Sequence, residues 1–160
     1  MVLYRKFSAR FAQKFIAKGL KRSGGVTMKK ESIPFGSAMG MKVAFCNAMA
    51  VDLSEIKRFI WVSGQLALDE HGKLVGKGNI EKQTGQCIKN IENALKKLGG
   101  SLEDVVQVTV FVNEMAGLRT IHEVRLRYFQ EPYPTSTLVA VKGFVNPDAL
   151  IEINALAALS

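Results

Sequence analysis

The sequence predicts a single α+β domain, built from one β-sheet with two helices on one of its faces. Three observations indicate this fold class. The predicted elements follow the order β-β-α-β-α-β-β between residues 42 and 156. Each helix has one apolar stripe at helical spacing, and the strands are short and rich in β-branched residues. The chain has 160 residues, of which 48% are hydrophobic, so it can form a core without disulfides or metals.

The first two elements are predicted strands at residues 42–51 and 57–68. The first is an apolar stretch between polar residues, and the second is rich in Ile, Val, Phe and Trp. A turn follows at residues 69–72, where Gly72 can easily adopt a positive φ. His71 is therefore expected to be an exposed turn residue.

Residues 80–98 are predicted to form the first helix. Asn79 is a suitable N-cap, and Gly99-Gly100 ends the helix. One helix face collects the apolar residues Ile80, Cys87, Ile88, Ile91, Leu95 and Leu98. This face is expected to pack on the sheet.

Residues 105–112 are predicted to form a buried strand with a parallel neighbour, because their composition is densely β-branched. A second helix is predicted at residues 117–129, followed by strands at residues 137–142 and 150–156. The second helix should bury Leu118, Ile121, Val124 and Tyr128. On the same helix, His122 and Arg125 are expected in solvent or in salt bridges.

Two helices can cover only one face of such a sheet. The other face still carries Val, Ile and Ala side chains, which water would contact in a single chain. An apolar face of this kind predicts that the domain associates with further copies of itself.

The net charge of +8 is concentrated at the N-terminus. Residues 1–30 carry nine basic and no acidic residues, which leaves 13 basic against 14 acidic residues in 31–160, a net charge of −1. A nearly neutral domain lacks the positive surface that nucleic-acid binding needs, so no nucleic-acid partner is expected. No apolar run is long enough to span a membrane, and no membrane partner is expected for residues 31–160.

Residues 1–30 are predicted to be a basic extension outside the domain formed by residues 31–160. Apolar residues recur every four positions from Leu3 to Phe15, as in an amphipathic helix. Three explanations stay open: a start codon assigned too early, a mitochondrial presequence or a membrane-surface helix. Gly24-Gly25-Val26, which a ribosome-binding sequence can encode, precedes Met28 and favours the first. The expected location is cytoplasmic, or mitochondrial if the extension is a presequence.

The cysteines and histidines do not form a metal-binding pattern. Cys46 and Cys87 are far apart and are expected to be buried thiols in a reducing compartment. His122-Glu123 lacks the downstream PCxxC motif of zinc deaminases. The sequence therefore predicts no metal site.

Three ordered segments carry a family resemblance. Val62-Ser63-Gly64-Gln65 ends the second predicted strand, residues 99–106 lead into Thr109-Val110-Phe111-Val112, and Ile151-Glu152-Ile153-Asn154-Ala155 lies near the C-terminus. From about residue 43 onward the chain resembles the RidA/YjgF family, the reactive intermediate deaminases. The resemblance implies a chorismate-mutase-like fold, a homotrimer with a central barrel, and small-molecule pockets between subunits. It also implies hydrolysis of 2-imino and 2-enamino acids to 2-keto acids without a cofactor.

The resemblance also assigns site residues. Gly64 corresponds to a pocket glycine, and Glu152 corresponds to the glutamate that holds the attacking water. Phe45 stands where the family has a tyrosine that touches the substrate. Ser136 stands where the family has a catalytic arginine, which binds the substrate carboxylate through two parallel hydrogen bonds.

Two neighbours of Ser136 complete the predicted site. Thr137 could bind a ligand through its hydroxyl, and Leu138 stands at a family cysteine. Because the arginine is missing, the sequence predicts an imine- or enamine-binding pocket with weak deaminase activity. One alternative is a competent 2-iminobutanoate and 2-iminopropanoate deaminase in which Lys142 or Arg119 binds the carboxylate. Another is an RNA-acting translation inhibitor or endoribonuclease.

Overall fold

The computed structural model describes residues 29–38 and 40–160. Eight strands and two helices are defined in this part of the chain. The strands are β1 (Lys30–Pro34), β2 (Ser37–Ala38), β3 (Met41–Lys42), β4 (Cys46–Val51), β5 (Arg58–Leu66), β6 (Val105–Val112), β7 (Thr135–Ala140) and β8 (Ile151–Leu159). The helices are α1 (Ile80–Lys97) and α2 (Leu118–Tyr128).

Six strands form one mixed sheet in the order β1-β4-β7-β6-β8-β5. β7 runs parallel to both of its neighbours, β4 and β6, and the other pairs are antiparallel. The parallel neighbour predicted for residues 105–112 is thus confirmed as β7, with Thr109 opposite Thr137. β2 and β3 form a separate two-stranded hairpin.

Both helices and five of the six strands of the main sheet lie where the sequence predicts them. The predicted strand boundaries differ from the observed ones by up to four residues. The predicted strand at residues 42–51 is in fact divided, with residues 41–42 in the small hairpin and residues 46–51 in β4. The prediction missed β1, which lies at the sheet edge beside β4. Apart from Lys29 and Lys30, the predicted basic extension lies outside the described residues.

α1 begins and ends as predicted from its caps. The Asn79 side chain accepts a hydrogen bond from the Lys82 backbone N–H at 2.9 Å, and Gly99 adopts a φ of +84° after the last turn. The helix also positions the start of β8 through the buried Gln83. The Gln83 amide donates to the Asp148 carbonyl at 3.1 Å and accepts from the Leu150 N–H at 2.8 Å.

The hydrophobic core lies between the helices and one face of the sheet. Alternate residues of the strands, such as Ile60 and Val62 on β5, are buried in this core. Their neighbours Phe59 and Trp61 lie on the opposite face, where Trp61 is 74% exposed. We call this opposite side the open face of the sheet. It leaves a large aromatic surface in contact with water.

Candidate functional site

Gly64 and Glu152 lie side by side on neighbouring strands of the sheet. The pairing of β5 with β8 shifts between Val62 and Gln65, so that Ser63-Gly64 forms a β-bulge. The Glu152 carboxylate lies directly over Gly64, because a Cβ added at Gly64 would be only 1.7 Å from Glu152 Oε1. A glycine at position 64 therefore leaves the space that this carboxylate occupies.

The strand alternation of β8 directs the Glu152 side chain away from the core. Ile151 and Ile153 are both buried, as the alternation predicts, while Glu152 pairs with Phe111 of β6.

On the core side, the Cys87 thiol donates to the Ile151 carbonyl at 3.7 Å. Burial, and then the negative charge of Glu152, raise the pKa of Cys87 to about 12. Cys87 therefore stays a protonated core thiol and is not a nucleophile at neutral pH.

A shallow cleft of about 160 Å³ lies on the open face farther along the same strands. Trp61 and Leu156 contribute apolar surface, and Gln107 and Asn154 contribute amides. The Asn154 side chain accepts a hydrogen bond from the Thr109 N–H at 3.1 Å, which fixes its orientation. The open face therefore combines one carboxylate, two amides and exposed aromatic surface.

Ser136 and Leu138 lie on the face of β7 opposite to the open face. They are paired with Val108 and Val110 of β6, which are buried under the helices. Thr137 is paired with Thr109 and is exposed on the open face. A single subunit therefore does not bring Ser136 and Leu138 to the side of the sheet that carries Gly64 and Glu152.

Phe45 lies beside α2, just before β4. Its ring contacts Phe35, with 4.7 Å between centroids, and His122, with 5.7 Å between centroids. The Pro134 carbonyl accepts a hydrogen bond from the Cys46 N–H at 3.2 Å, which ties this segment to the residues before β7. Phe45 thus belongs to the same edge of the domain as the start of β7.

The expectation that His122 and Arg125 are solvated or salt-bridged is wrong. Both side chains are buried, with Arg125 only 1% exposed. The Arg125 Nη2 donates to the Ala44 carbonyl at 3.1 Å. The burial of Arg125 could have been predicted from the sequence. Arg125 lies four residues after Ile121 and therefore falls on the buried side of the helix.

Other predicted features lie outside the site. His71 is an exposed turn residue and Cys46 and Cys87 are buried free thiols, as predicted. A wider cleft of about 460 Å³ between α1 and α2 contains none of the predicted site residues.

In the described part of the chain, no group of three or more His, Cys, Asp or Glu side chains could hold a metal ion. None of the described helices has the length and apolar character needed to cross a membrane.

Comparison with known proteins gives consistent matches. The family model described as Endoribonuclease L-PSP matches residues 41–159. A RutC family protein of Pyrococcus abyssi is 39% identical over 104 residues, covering 64% of this chain and 80% of that protein. The 3-aminoacrylate deaminase RutC of Acinetobacter baylyi is 37% identical over 107 residues, covering 67% of this chain and 84% of that protein.

Solved structures show the same fold. A Rid-family protein of unknown function from Yersinia pestis superposes with a TM-score of 0.69 at 27% identity, covering 82% of this chain and all of that one. RidA from an Antarctic Psychrobacter species superposes with a TM-score of 0.60 at 26% identity, covering 83% of this chain and 98% of that one. The mixed sheet with two helices is thus shared with proteins of this group.

Proposed function

Because the chain belongs to the Endoribonuclease L-PSP family, which includes the RidA, YjgF and RutC proteins, we propose that it acts on reactive imine and enamine metabolites. We expect its activity toward ordinary 2-imino acids to be weaker than that of relatives that carry the arginine. The observation that carries the proposal is the Glu152 carboxylate, which lies over Gly64 on the open face. A carboxylate above bare backbone can hold a water molecule next to a small planar ligand.

The proposed reaction is hydrolysis of a C=N bond. An enamine first tautomerises to the imine, gaining a proton on carbon and losing one from nitrogen. A water molecule attacks the imine carbon while the Glu152 carboxylate accepts a proton from it. Glu152 returns this proton to the nitrogen, which gives a carbinolamine. The hydroxyl group of the carbinolamine then passes its proton to the nitrogen through the same carboxylate, the C=O bond forms as the C–N bond breaks, and ammonia and a keto acid are released. Ser136 cannot hold the substrate carboxylate with a charged, two-pronged contact, which is the physical reason for weak activity.

A second candidate is a fully competent deaminase with another cationic residue at the carboxylate. The Acinetobacter relative is a 3-aminoacrylate deaminase, and this likeness favours the second candidate. The test is hydrolysis of 2-iminobutanoate and 2-iminopropanoate in competition with semicarbazide, run beside a homologue that has the arginine. We expect kcat/KM well below that of the homologue. Equal values would establish the second candidate.

An RNA-acting function agrees with the description of the family model but not with the charge of residues 31–160. Residues 31–160 have a net charge of −1, which gives little attraction for phosphates. Cleavage of single-stranded RNA that depends on Glu152, in the absence of imine hydrolysis, would overturn the deaminase proposal.

The proposed pocket lies between subunits of a homotrimer. Gly64 and Glu152 lie on the open face, whereas Ser136 and Leu138 lie on the other face, so one pocket can contain both pairs only if two copies contribute. The exposed apolar surface around Trp61 supplies a contact for those copies.

Trp61→Glu is expected to dissociate the trimer, because it places a charge in the exposed aromatic surface of the open face. Light scattering coupled to size-exclusion chromatography measures the mass. Val145→Glu is the matched control, since Val145 is 95% exposed in the loop between β7 and β8. A wild-type chain that stays monomeric at micromolar concentration would contradict both the trimer and the shared pocket.

A further inference from the structure

Arg125 is a buried cation with no acidic partner among the described residues. Its Nη2 donates to the Ala44 carbonyl, but its Nε and Nη1 atoms find no hydrogen-bond partner within residues 29–38 and 40–160. Burial lowers the pKa of Arg125 to about 10, so the guanidinium is still charged at neutral pH. An unpaired buried charge destabilises a fold, and an unsatisfied donor in a native structure points to a missing ligand or a functional role.

His122 lies next to this guanidinium and has the same deficiency. Its Nδ1 is buried and has no hydrogen-bond partner in the part of the chain that the structure describes. Burial, and then the positive charge of Arg125, lower the pKa of His122 to about 4, so the imidazole is neutral at pH 7. The pair therefore carries one positive charge and several unused polar atoms. A neutral imidazole can also donate a hydrogen bond from Nδ1 in one of its tautomers.

We propose that Arg125 and His122 form a subsite for one small monocarboxylate beneath the ring of Phe45. Two N–H groups of the guanidinium can point in parallel at the two carboxylate oxygens, and the single positive charge matches a single negative one. The inference rests on the proposed function, since it places the ligand at the Phe45 side of the pocket.

The cover of the subsite is an aromatic pair. Phe45 contacts both His122 and Phe35, and Phe35 is 40% exposed. Gly36, the residue after Phe35, has a φ of +83° and marks a turn between β1 and β2. Because Arg125 is only 1% exposed, the proposed subsite requires that these rings move when a ligand binds.

The test is binding of 2-oxobutanoate to the full-length chain, measured by calorimetry, with uncharged 2-butanone as the matched probe. Wild-type protein is expected to bind 2-oxobutanoate and not 2-butanone. Arg125→Met keeps an unbranched apolar side chain and should weaken binding by about 10-fold or more. It should also raise the thermal unfolding midpoint without ligand, because an unpaired buried charge is removed. Arg127→Met is the control, since Arg127 lies on the same helix but pairs with Glu81 at the surface.

The outcomes separate this inference from the proposed function. If Arg125→Met binds 2-oxobutanoate as wild type does, the subsite is wrong even when Glu152-dependent imine hydrolysis is present. If binding depends on Arg125 and no hydrolysis occurs, the subsite stands and the proposed function fails. Arg125→Lys keeps the positive charge, and its 2-oxobutanoate binding is measured instead if Arg125→Met does not fold. Loss of the fold in both variants would make Arg125 purely structural and overturn the subsite.

Discussion

Glu152→Gln is expected to lower kcat/KM for 2-iminobutanoate hydrolysis by about 100-fold or more, the usual contribution of a positioned general base. The amide keeps the shape of the side chain but cannot accept the proton of the attacking water. The measurement is best made in wild type and in Ser136→Arg, so that a low starting activity does not hide the loss. Glu114→Gln, at an exposed position in the loop after β6, is the matched control.

Gly64→Ala tests the role of the Glu152 carboxylate by changing the residue that lies beneath it. The new methyl group would overlap Glu152 Oε1, and the flexible side chain must move away. Activity should fall with little change in stability. Gly143→Ala should behave as wild type, because a Cβ added at Gly143 would meet no described atom within 4 Å beyond the adjacent residues. Undiminished activity in both Glu152→Gln and Gly64→Ala would remove Glu152 from the mechanism.

Local signals explain which elements could be predicted from the sequence. α1 has an apolar stripe, an N-cap at Asn79 and a terminating glycine, all within one stretch of chain. β1 has no such signal, because Lys30-Glu31-Ser32-Ile33-Pro34 contains one aliphatic residue and a proline. Its position depends on distant partners, since it pairs with β4 and the Lys30 amine donates to the carbonyls of Glu103 and Val105.

The site shows the same division between local and distant information. The alternation of Ile151, Glu152 and Ile153 indicates which face the carboxylate occupies. Its contact with Gly64 depends on the β5–β8 register and on the bulge, which local sequence does not specify. The burial of Arg125 depends on the Ala44 carbonyl, 81 residues earlier in the chain. Helical spacing alone places Arg125 on the buried side of α2, but it does not reveal that the described residues offer Arg125 no counter-ion.

Ser136→Arg is expected to raise kcat/KM for 2-iminobutanoate by about 10- to 150-fold, because a hydrogen-bonded contact with a charged group contributes about 1.5–3 kcal/mol. Ser136 is half-buried on β7 beside Leu138, so a longer side chain has a partly open path to the pocket. The gain in kcat/KM should require the planar guanidinium group of arginine as well as its positive charge. Ser136→Lys is therefore expected to gain less, and Ser136→Met, which adds length without charge, should gain nothing.

The result of this series decides what the missing arginine means. A gain confined to Ser136→Arg would show that the pocket kept its catalytic groups and lost only the carboxylate contact. If Ser136→Arg stays inactive in a folded trimer, the arginine at position 136 is not the only catalytic group that the pocket lacks. The pocket is then suited to a different ligand. If wild type already matches an arginine-bearing homologue, the weak-activity proposal is wrong. Another cation then holds the carboxylate, and the loss of activity in Arg125→Met would identify it.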